Sequence, residues 1–175
     1  SHIDFGMPGA LPVLNAGAVE RAIKVAFALG TPPQRFSKFD RKHYFYPDLP
    51  SGYQITQFYN PIIRDGKVLF TIGEEVKTVR VREAHLEADA GKNTHPAGKD
   101  YSLVDLNRAG TPLLEIVSEP DIHSPAEAKA YAREVYLLVR YAGVSDASLY
   151  YGNMRFDVNV SVSKSDELGT RTESK

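Results

Sequence analysis

The sequence of 175 residues contains no cysteine. Disulfide bonds, thiolate zinc ligands and cysteine nucleophiles are therefore excluded, and this composition fits an intracellular protein. No apolar run approaches the roughly 18 residues of a membrane-spanning helix, and no basic-then-apolar signal segment opens the chain. The net charge is only −1, which argues against broad, charge-driven binding of nucleic acid by this chain alone.

Several short motifs that would identify a site are also missing. Neither a P-loop nor a Rossmann glycine motif occurs, so any nucleotide is held without those turns. A nucleophile elbow is absent as well. His43 and His85 have no second histidine at a metal-ligand spacing, so we expect no zinc site.

The composition is that of a folded, soluble protein. Hydrophobic residues make up 42% and charged residues 25% of the chain, which is ordinary for a globular domain and unlike a disordered one. The length suffices for one core, or one domain and part of another. The chain opens without methionine and stops without a closing element, so we expect it to be a piece of a longer protein.

The hydrophobic pattern predicts two helices and several strands. Asn15 can cap a first helix, which Gly30 ends. Ser124, Pro125 and Glu127 form a capping box at the start of a second helix. Residues 67–72 and 76–89 are typical of a hairpin. Without a regular alternation of strands and helices, the predicted fold class is α+β, with a largely antiparallel sheet and packed helices.

Three dense polar motifs lie on segments that otherwise resemble strands. They are residues 85–92 (HLEADAGK), 105–115 (DLNRAGTPLLE) and 152–160 (GNMRFDVNV). Side chains two residues apart share a face of a strand, so His85, Glu87 and Asp89 point one way. An acid-rich face with an apolar back suits a divalent cation and a phosphate donor, because Mg²⁺ prefers oxygen ligands.

The third motif extends this pattern to cationic and amide side chains. Arg155, Asp157 and Asn159 share one face of the predicted strand, with apolar residues behind them. We expect Arg155, or Lys92 on the loop after the first motif, to contact phosphates, since a guanidinium suits phosphate oxygens. The alternative is a face that simply meets water, as one face of many antiparallel sheets does.

Glu115 is harder to explain as a solvated residue. It lies in the apolar run 113–117, which is typical of a well-buried strand. Because an unpaired buried carboxylate is costly, Glu115 needs a partner. An ion pair with Arg108 or Arg155 is one interpretation, and a metal ion is the one we favour.

A basic, aromatic stretch covers residues 38–46 (KFDRKHYFY). Cations interleaved with aromatic rings can grip phosphates and stack on bases. The other interpretation is an ordinary strand with its aromatic residues in the core and its cations solvated, and the spacing favours it.

Several of these segments together closely resemble the B subunit of the aspartyl/glutamyl-tRNA amidotransferases, the GatB family. The matching segments are residues 37–55, 85–92, 101–121, 152–160 and 169–173, and the resemblance runs from residue 7 to the end of the chain. Their order makes a chance match very unlikely. The resemblance implies that residues 1–175 are part of the N-terminal catalytic (cradle) domain, with a glutamine-synthetase-like fold. An upstream strand and the C-terminal helical and tail domains would lie outside this chain.

The resemblance also implies a two-step reaction. With ATP and Mg²⁺, the B subunit phosphorylates the side-chain carboxyl of Glu-tRNA(Gln) or Asp-tRNA(Asn), and ammonia then displaces the phosphate. The ammonia comes from glutamine through the amidase, which is the A subunit of the family, and a small C subunit joins the two. The charged tRNA is held mainly by domains outside this chain. The implied location is the cytoplasm, without a membrane.

Residue roles follow from the matched positions. In the family, glutamates on these strands bind Mg²⁺, so Glu87 and Glu115 are expected metal ligands, with Asp89 as a further candidate. Many relatives have a second acidic residue where this chain has Ala88. Many bacterial members carry a zinc-binding cysteine pair where this chain has Ile3 and Asp4, and no zinc is therefore expected.

The expected catalytic residues are Glu87, Glu115 and Arg155. Asp157 and Asn159 are expected to contact the substrate. Two alternatives stay open at this point. The domain could be a non-catalytic scaffold that docks the amidase, or it could belong to the related archaeal Glu-tRNA(Gln) amidotransferase.

Overall fold

The computed structural model describes residues 2, 5, 7–165 and 167–171. Ile3 and Asp4, and part of the motif at 169–173, lie outside the described residues. The helices are α1 (Ala16–Ala28) and α2 (Pro125–Tyr141). The strands are β1 (Asp40–His43), β2 (Tyr53–Thr56), β3 (Ile63–Ile72), β4 (Glu75–Ala88), β5 (Lys92–Thr94), β6 (Leu103–Asp105), β7 (Pro112–Ser118), β8 (Ser161–Val162) and β9 (Thr170–Arg171).

Helix α1 begins and ends where the sequence predicted. The side chain of Asn15 accepts a hydrogen bond from the backbone N–H of Gly17 at 2.8 Å, which satisfies a free donor of the first turn. Gly30 follows the helix with a φ of 72°, a left-handed conformation that glycine adopts without strain. The buried face of the helix includes Ala22, Val25 and Ala26, whereas Phe27 is exposed.

Helix α2 confirms the predicted capping residues, with one change in the bonding. Ser124 accepts from the backbone N–H of Glu127 at 3.2 Å. The Glu127 carboxylate accepts from the N–H of His123, one residue before the cap, at 2.7 Å. In a capping box this second bond comes from the cap residue itself. Both bonds still satisfy backbone donors at the helix start.

The main sheet has three antiparallel strands in the order β3-β4-β7. The predicted hairpin is confirmed as β3 and β4, which turn at Gly73. Both helices pack on one face of this sheet. The core between the helices and the sheet includes Ala22, Val25, Ala26, Leu29, Val68, Phe70, Val79, Val81, Ala84, Leu86, Val135 and Val139. The predicted α+β class with an antiparallel sheet is therefore confirmed.

Strands β3 and β4 each contain one extra residue, and the two extra residues lie side by side in the sheet. Val79 and Val81 face the helices, but so do Ala84 and Leu86, so the alternation along β4 changes phase between them. The pairing of β4 with β7 shifts by one residue between Val81 and Glu83. A bulge of this kind adds one residue to a strand and moves all later side chains to the other face.

Strand β3 changes phase at the same level. Ile63 and Val68 are both buried, and Asp65 between them has a φ of 56°. This left-handed conformation is rare for a residue with a side chain. The neighbouring Gly66 lies against the end of α1, where an added Cβ would come within 3.1 Å of the Leu29 Cβ. The matched irregularities keep β3 and β4 in register beyond the bulge.

Two sequence predictions about local structure are wrong. The segment 154–160 forms no strand, and regular pairing begins only at Ser161–Val162. Met154 packs against the core, but the later apolar residues of this segment are exposed; Val158, for example, is 70% exposed. In the basic, aromatic stretch the aromatic residues are not all in the core either, since Phe45 is 90% exposed.

None of the helices within the described residues has both the length and the apolar character needed to cross a membrane.

Candidate functional site

The face of the sheet away from the helices carries a cluster of three ionisable side chains. His85 and Glu87 lie two residues apart on β4, beyond the bulge, and so share a face. Glu115 lies on β7 directly opposite His85. Cross-strand partners and second neighbours are the closest side chains on one face of a sheet. The bulge is what places these side chains away from the core, because unbroken alternation from Val81 would turn His85 and Glu87 inward.

The three side chains are close enough to share one ion. One ligand atom from each of His85, Glu87 and Glu115 lies within 4.8 Å of the others. The Nε2 of His85 is 3.5 Å from an oxygen of Glu87 and 3.5 Å from an oxygen of Glu115. Its Nδ1 is buried without a hydrogen-bond partner among the described residues, with the nearest carboxylate, Glu83, at 3.6 Å. The histidine is thus enclosed by three carboxylates.

The carboxylates hold a positive charge at the centre of the cluster. Burial disfavours the charged imidazole, but hydrogen bonding and charge from Glu115 and Glu87 outweigh it and raise the pKa of His85 to about 9. The same hydrogen bond from His85 lowers the pKa of Glu115 below its usual value, against the opposing effect of burial. At neutral pH the imidazole is therefore protonated and neutralises part of the acidic charge.

The chemistry of this donor set fits a divalent cation. Two carboxylates converge on one point of the sheet face, and carboxylate oxygens are the ligands that Mg²⁺ prefers. The protonated imidazole already occupies the position between them as a cation. The orphaned Nδ1 shows that the described residues do not otherwise satisfy this buried ring. The cluster is thus arranged around positive charge.

Glu115 is not buried, contrary to the prediction from its apolar run. Its side chain is 54% exposed, whereas those of His85 and Glu87 are 12% and 11% exposed. The reason is that β7 is an edge strand of the sheet, and Glu115 lies on the face without helices. Its partner in the described residues is His85 rather than Arg108 or Arg155.

Asp89 lies just beyond β4 and outside the cluster. Its carboxylate is 3.2 Å from the Nε of Arg108. Burial raises the pKa of Asp89, although the charge of Arg108 opposes the shift. Arg108 also donates to the carbonyl oxygens of Ala90 at 3.0 Å and Gly91 at 2.8 Å. The structure therefore brings Asp89 together with Arg108, and together they fix the turn after the strand.

The predicted phosphate- and substrate-binding residues are all exposed. Lys92 is exposed at the start of β5, opposite Asp105. Arg155 is 82% exposed and donates to Asp157 at 2.8 Å. Its charge nevertheless contributes to lowering the pKa of Glu115, so it lies near the cluster. Asp157 and Asn159 lie on the same exposed segment.

Comparison with known proteins decides the family. The family model described as the GatB/GatE catalytic domain matches residues 1–175. The chain belongs to this family. The resemblance seen in the sequence motifs is thereby confirmed.

Three relatives of this GatB-family chain illustrate the similarity. Each is named as the B subunit of aspartyl/glutamyl-tRNA(Asn/Gln) amidotransferase. The protein from Variovorax paradoxus is 56% identical over 174 residues, which cover 99% of this chain. Those from Azoarcus sp. and Rickettsia typhi are 52% and 50% identical over the whole chain. The chain spans 37% of the length of each of these relatives.

Two residues of this GatB-family site were missed as functional candidates. Alternation predicts that His85 and Glu87 share a face. It does not predict that Glu115 lies opposite His85, because that depends on the pairing of β4 with β7. Gln57 is almost fully buried, and its carbonyl oxygen accepts from the N–H of Leu86 at 2.9 Å and of Ile62 at 3.3 Å. A single glutamine among apolar and aromatic residues gives no sequence signal of such a role.

Gln57 and Gln54 complete the edge of β4 where β3 has ended. The pairing of β3 with β4 stops at Ile63 and Ala84. Beyond that level Gln57 bonds to Leu86, and the side-chain amide of Gln54 donates to the carbonyl oxygen of Ala88 at 3.0 Å. The segment that carries Glu87 is therefore held on both edges, by β7 and by these two side chains.

Proposed function

We propose that the protein containing this GatB-family chain phosphorylates the side-chain carboxyl of Glu-tRNA(Gln) or Asp-tRNA(Asn), with ATP and Mg²⁺, and then amidates it. The cluster of His85, Glu87 and Glu115 is the observation that carries this proposal. The family membership supports the proposal, as does the name of the relatives, which are called subunits of an aspartyl/glutamyl-tRNA amidotransferase.

Glu87 and Glu115 would hold the Mg²⁺ through their carboxylate oxygens. His85 lies between these carboxylates, and its protonated form would be disfavoured beside a second cation because like charges repel. A bound Mg²⁺ would neutralise charge on the phosphate oxygens and orient them. The chain itself contributes rigidity: Glu87 lies on a strand held on both edges, and phosphoryl transfer asks the protein mainly for positioning. Asp89 is the remaining candidate ligand; its ion pair with Arg108 makes it the weaker one.

Arg155 is the proposed contact for the phosphates, supported by its effect on Glu115. To act there it would exchange its exposed bond with Asp157 for phosphate oxygens, and a planar guanidinium suits such a site. Lys92 is the other candidate. Asp157 and Asn159 would contact the substrate from the same segment.

The remaining parts of the reaction lie outside this chain. The proposed partners are an amidase (the A subunit) that releases ammonia, a small C subunit, and the charged tRNA, held mainly by other domains. The glutamine-synthetase-like fold and the cytoplasmic location remain predictions from the family resemblance.

The decisive experiment uses the full-length protein in complex with its amidase partner. Transfer of the γ-phosphate of labelled ATP to the charged tRNA would be measured for the wild type and for Glu87→Gln, which keeps the shape and removes the charge. Glu119→Gln is the matched control, because Glu119 lies near the end of β7 and pairs with Arg82 at 3.0 Å, away from the cluster. We expect Glu87→Gln to lose transfer at least about 100-fold and Glu119→Gln to retain it.

Equal transfer by both variants would contradict the proposal. If Glu87→Gln also left the assembly with the amidase unchanged, the scaffold interpretation would be preferred. Mn²⁺ binding, followed by electron paramagnetic resonance, gives a readout that does not depend on turnover. Mn²⁺ binding should weaken in Glu87→Gln and stay unchanged in Glu119→Gln.

A further inference from the structure

The hairpin of β1 and β2 places one lysine on a defined face. Lys42 on β1 lies directly opposite Gln54 on β2. Directly opposite residues of an antiparallel pair project from the same face, with Cβ atoms about 5 Å apart. The direction of the Gln54 side chain therefore also gives the direction of Lys42.

That face is turned toward the end of β4. The side-chain amide of Gln54 donates to the carbonyl oxygen of Ala88, the residue after Glu87. The opposite face of the hairpin is occupied in another way, since the guanidinium of Arg41 lies 5.7 Å from the centre of the Tyr53 ring, and the Tyr53 hydroxyl donates to the carbonyl oxygen of Ala10. Lys42 is thus the cation of this hairpin that points toward the acidic cluster.

Lys42 is also uncommitted. It is exposed and has no ion-pair partner among the described residues. Two other cations have partners: Arg108 holds Asp89 and two backbone carbonyls, and Arg155 pairs with Asp157. Lys92, at the start of β5, is exposed like Lys42.

We infer that Lys42 binds phosphate oxygens of the nucleotide at the His85, Glu87 and Glu115 cluster. This inference rests on the proposed function, since it assumes that the cluster holds a metal–nucleotide complex. A lysine ammonium is a compact charge on a flexible stem and serves as a phosphate ligand where no fixed fork geometry is needed. A solvated cation that faces the acidic cluster would attract the phosphates of a nucleotide held there.

The test compares Lys42→Met with Lys42→Arg in the full-length protein within its complex. Binding of a fluorescent ATP analogue would be titrated in the presence of Mg²⁺. Lys42→Met should raise the Kd for the nucleotide at least about tenfold, and Lys42→Arg should recover part of the loss because it keeps the charge. Lys24→Met, on the exposed side of α1, is the matched control and should bind like the wild type.

A second readout separates phosphate contact from a general structural effect. Binding of Mn²⁺ without nucleotide should not weaken in Lys42→Met, because removing a nearby cation leaves the carboxylates in place. Weaker Mn²⁺ binding would mean that the substitution disturbs the cluster, and the inference would be wrong.

Two further outcomes are decisive. If the wild type shows no Mg²⁺-dependent nucleotide binding, the proposed function itself fails. If the wild type binds and Lys42→Met binds equally well, only the role of Lys42 is overturned. A loss confined to Lys92→Met would transfer that role to Lys92.

Discussion

Two polar segments of this chain have the same alternating pattern and different structures. Residues 85–88 belong to β4, whereas residues 154–160 form no strand. In the first segment Leu86 is buried against the helices. In the second, Phe156 and Val158 are exposed, and Arg155 contacts only its neighbour Asp157 among the charged groups of the described residues. Alternation predicts which side chains share a face only where neighbouring strands pair with the segment.

The difference between the segments has a consequence for the site. Glu87 and His85 are held by β7 on one edge and by two glutamines on the other. Their geometry is set before a ligand arrives. Arg155 has no such support, and ordering it on a ligand carries an entropic cost. Metal binding should thus depend on the sheet, and phosphate binding on segments that adapt.

The largest expected effect on activity is that of replacing Glu115, which lies opposite His85. Glu115→Gln in the full-length protein should reduce ATP-dependent phosphorylation of the charged tRNA by about 1,000-fold, because a metal ligand of similar shape loses its charge. The fold should be unchanged, since Glu115 is half-exposed. Near-normal phosphorylation together with a clearly lower melting temperature would make Glu115 a structural residue instead.

Stability should distinguish the two segments next. Leu86→Ala should lower the free energy of unfolding by about 3 kcal/mol, since Leu86 is 6% exposed and truncation leaves a cavity. Val158→Ala should change it by less than about 0.5 kcal/mol, as for other exposed sites. Urea unfolding followed by circular dichroism measures both. Similar losses for the two variants would show that Val158 is packed in solution.

A smaller effect is expected for the exposed guanidinium. Arg155→Lys keeps the charge and loses the planar fork, so the ATP concentration needed for half-maximal phosphorylation should rise about tenfold. Arg35→Lys, an exposed arginine before β1, serves as the control. If the ATP requirement of Arg155→Lys were unchanged, Arg155 would have no phosphate role.

The smallest effect concerns the other end of β4. Arg80 donates to Asp121 through its side chain and its backbone N–H, and these bonds lower the pKa of Asp121 to about 2. Because this pKa lies below that of the unfolded chain, the stabilisation is present above about pH 4 and is lost as the pH falls through about 2. Asp121→Ala should therefore cost about 1 kcal/mol at pH 7, since Arg80 is largely exposed and the pair is screened.

The comparison of urea unfolding at pH 7 and pH 2 tests this account. The difference between Asp121→Ala and the wild type should shrink to half or less at the lower pH. An equal difference at both values would mean that the bonds of Asp121 contribute without its charge.

The sequence predicted best what local chemistry decides. Both helix starts depend on a capping side chain and its immediate neighbours, Asn15 and Ser124, and both were confirmed. The hairpin at Gly73 was equally local. The shared face of His85 and Glu87 was also correct, because alternation holds within that motif.

What failed depends on pairing between distant segments. The half-exposed position of Glu115 follows from β7 being an edge strand, which its own apolar run does not reveal. The meeting of His85 with Glu115 depends on the register between β4 and β7. Residues 154–158 form no strand because, within the part of the chain that the structure describes, no neighbouring strand forms a ladder with them. None of these features can be predicted from the sequence of one segment by itself.

The extra residues at Asp65 and Arg82 determine how the chain can change in length. Removing both would restore unbroken alternation in β3 and β4 while keeping Leu86 toward the helices and His85 and Glu87 on the opposite face. Removing Ala84 instead would turn His85 and Glu87 into the core and Leu86 out to water. Paired deletions at Asp65 and Arg82 should therefore preserve the site, whereas a deletion at Ala84 should destroy it. Related chains that differ in length within this sheet should differ at Asp65 and Arg82.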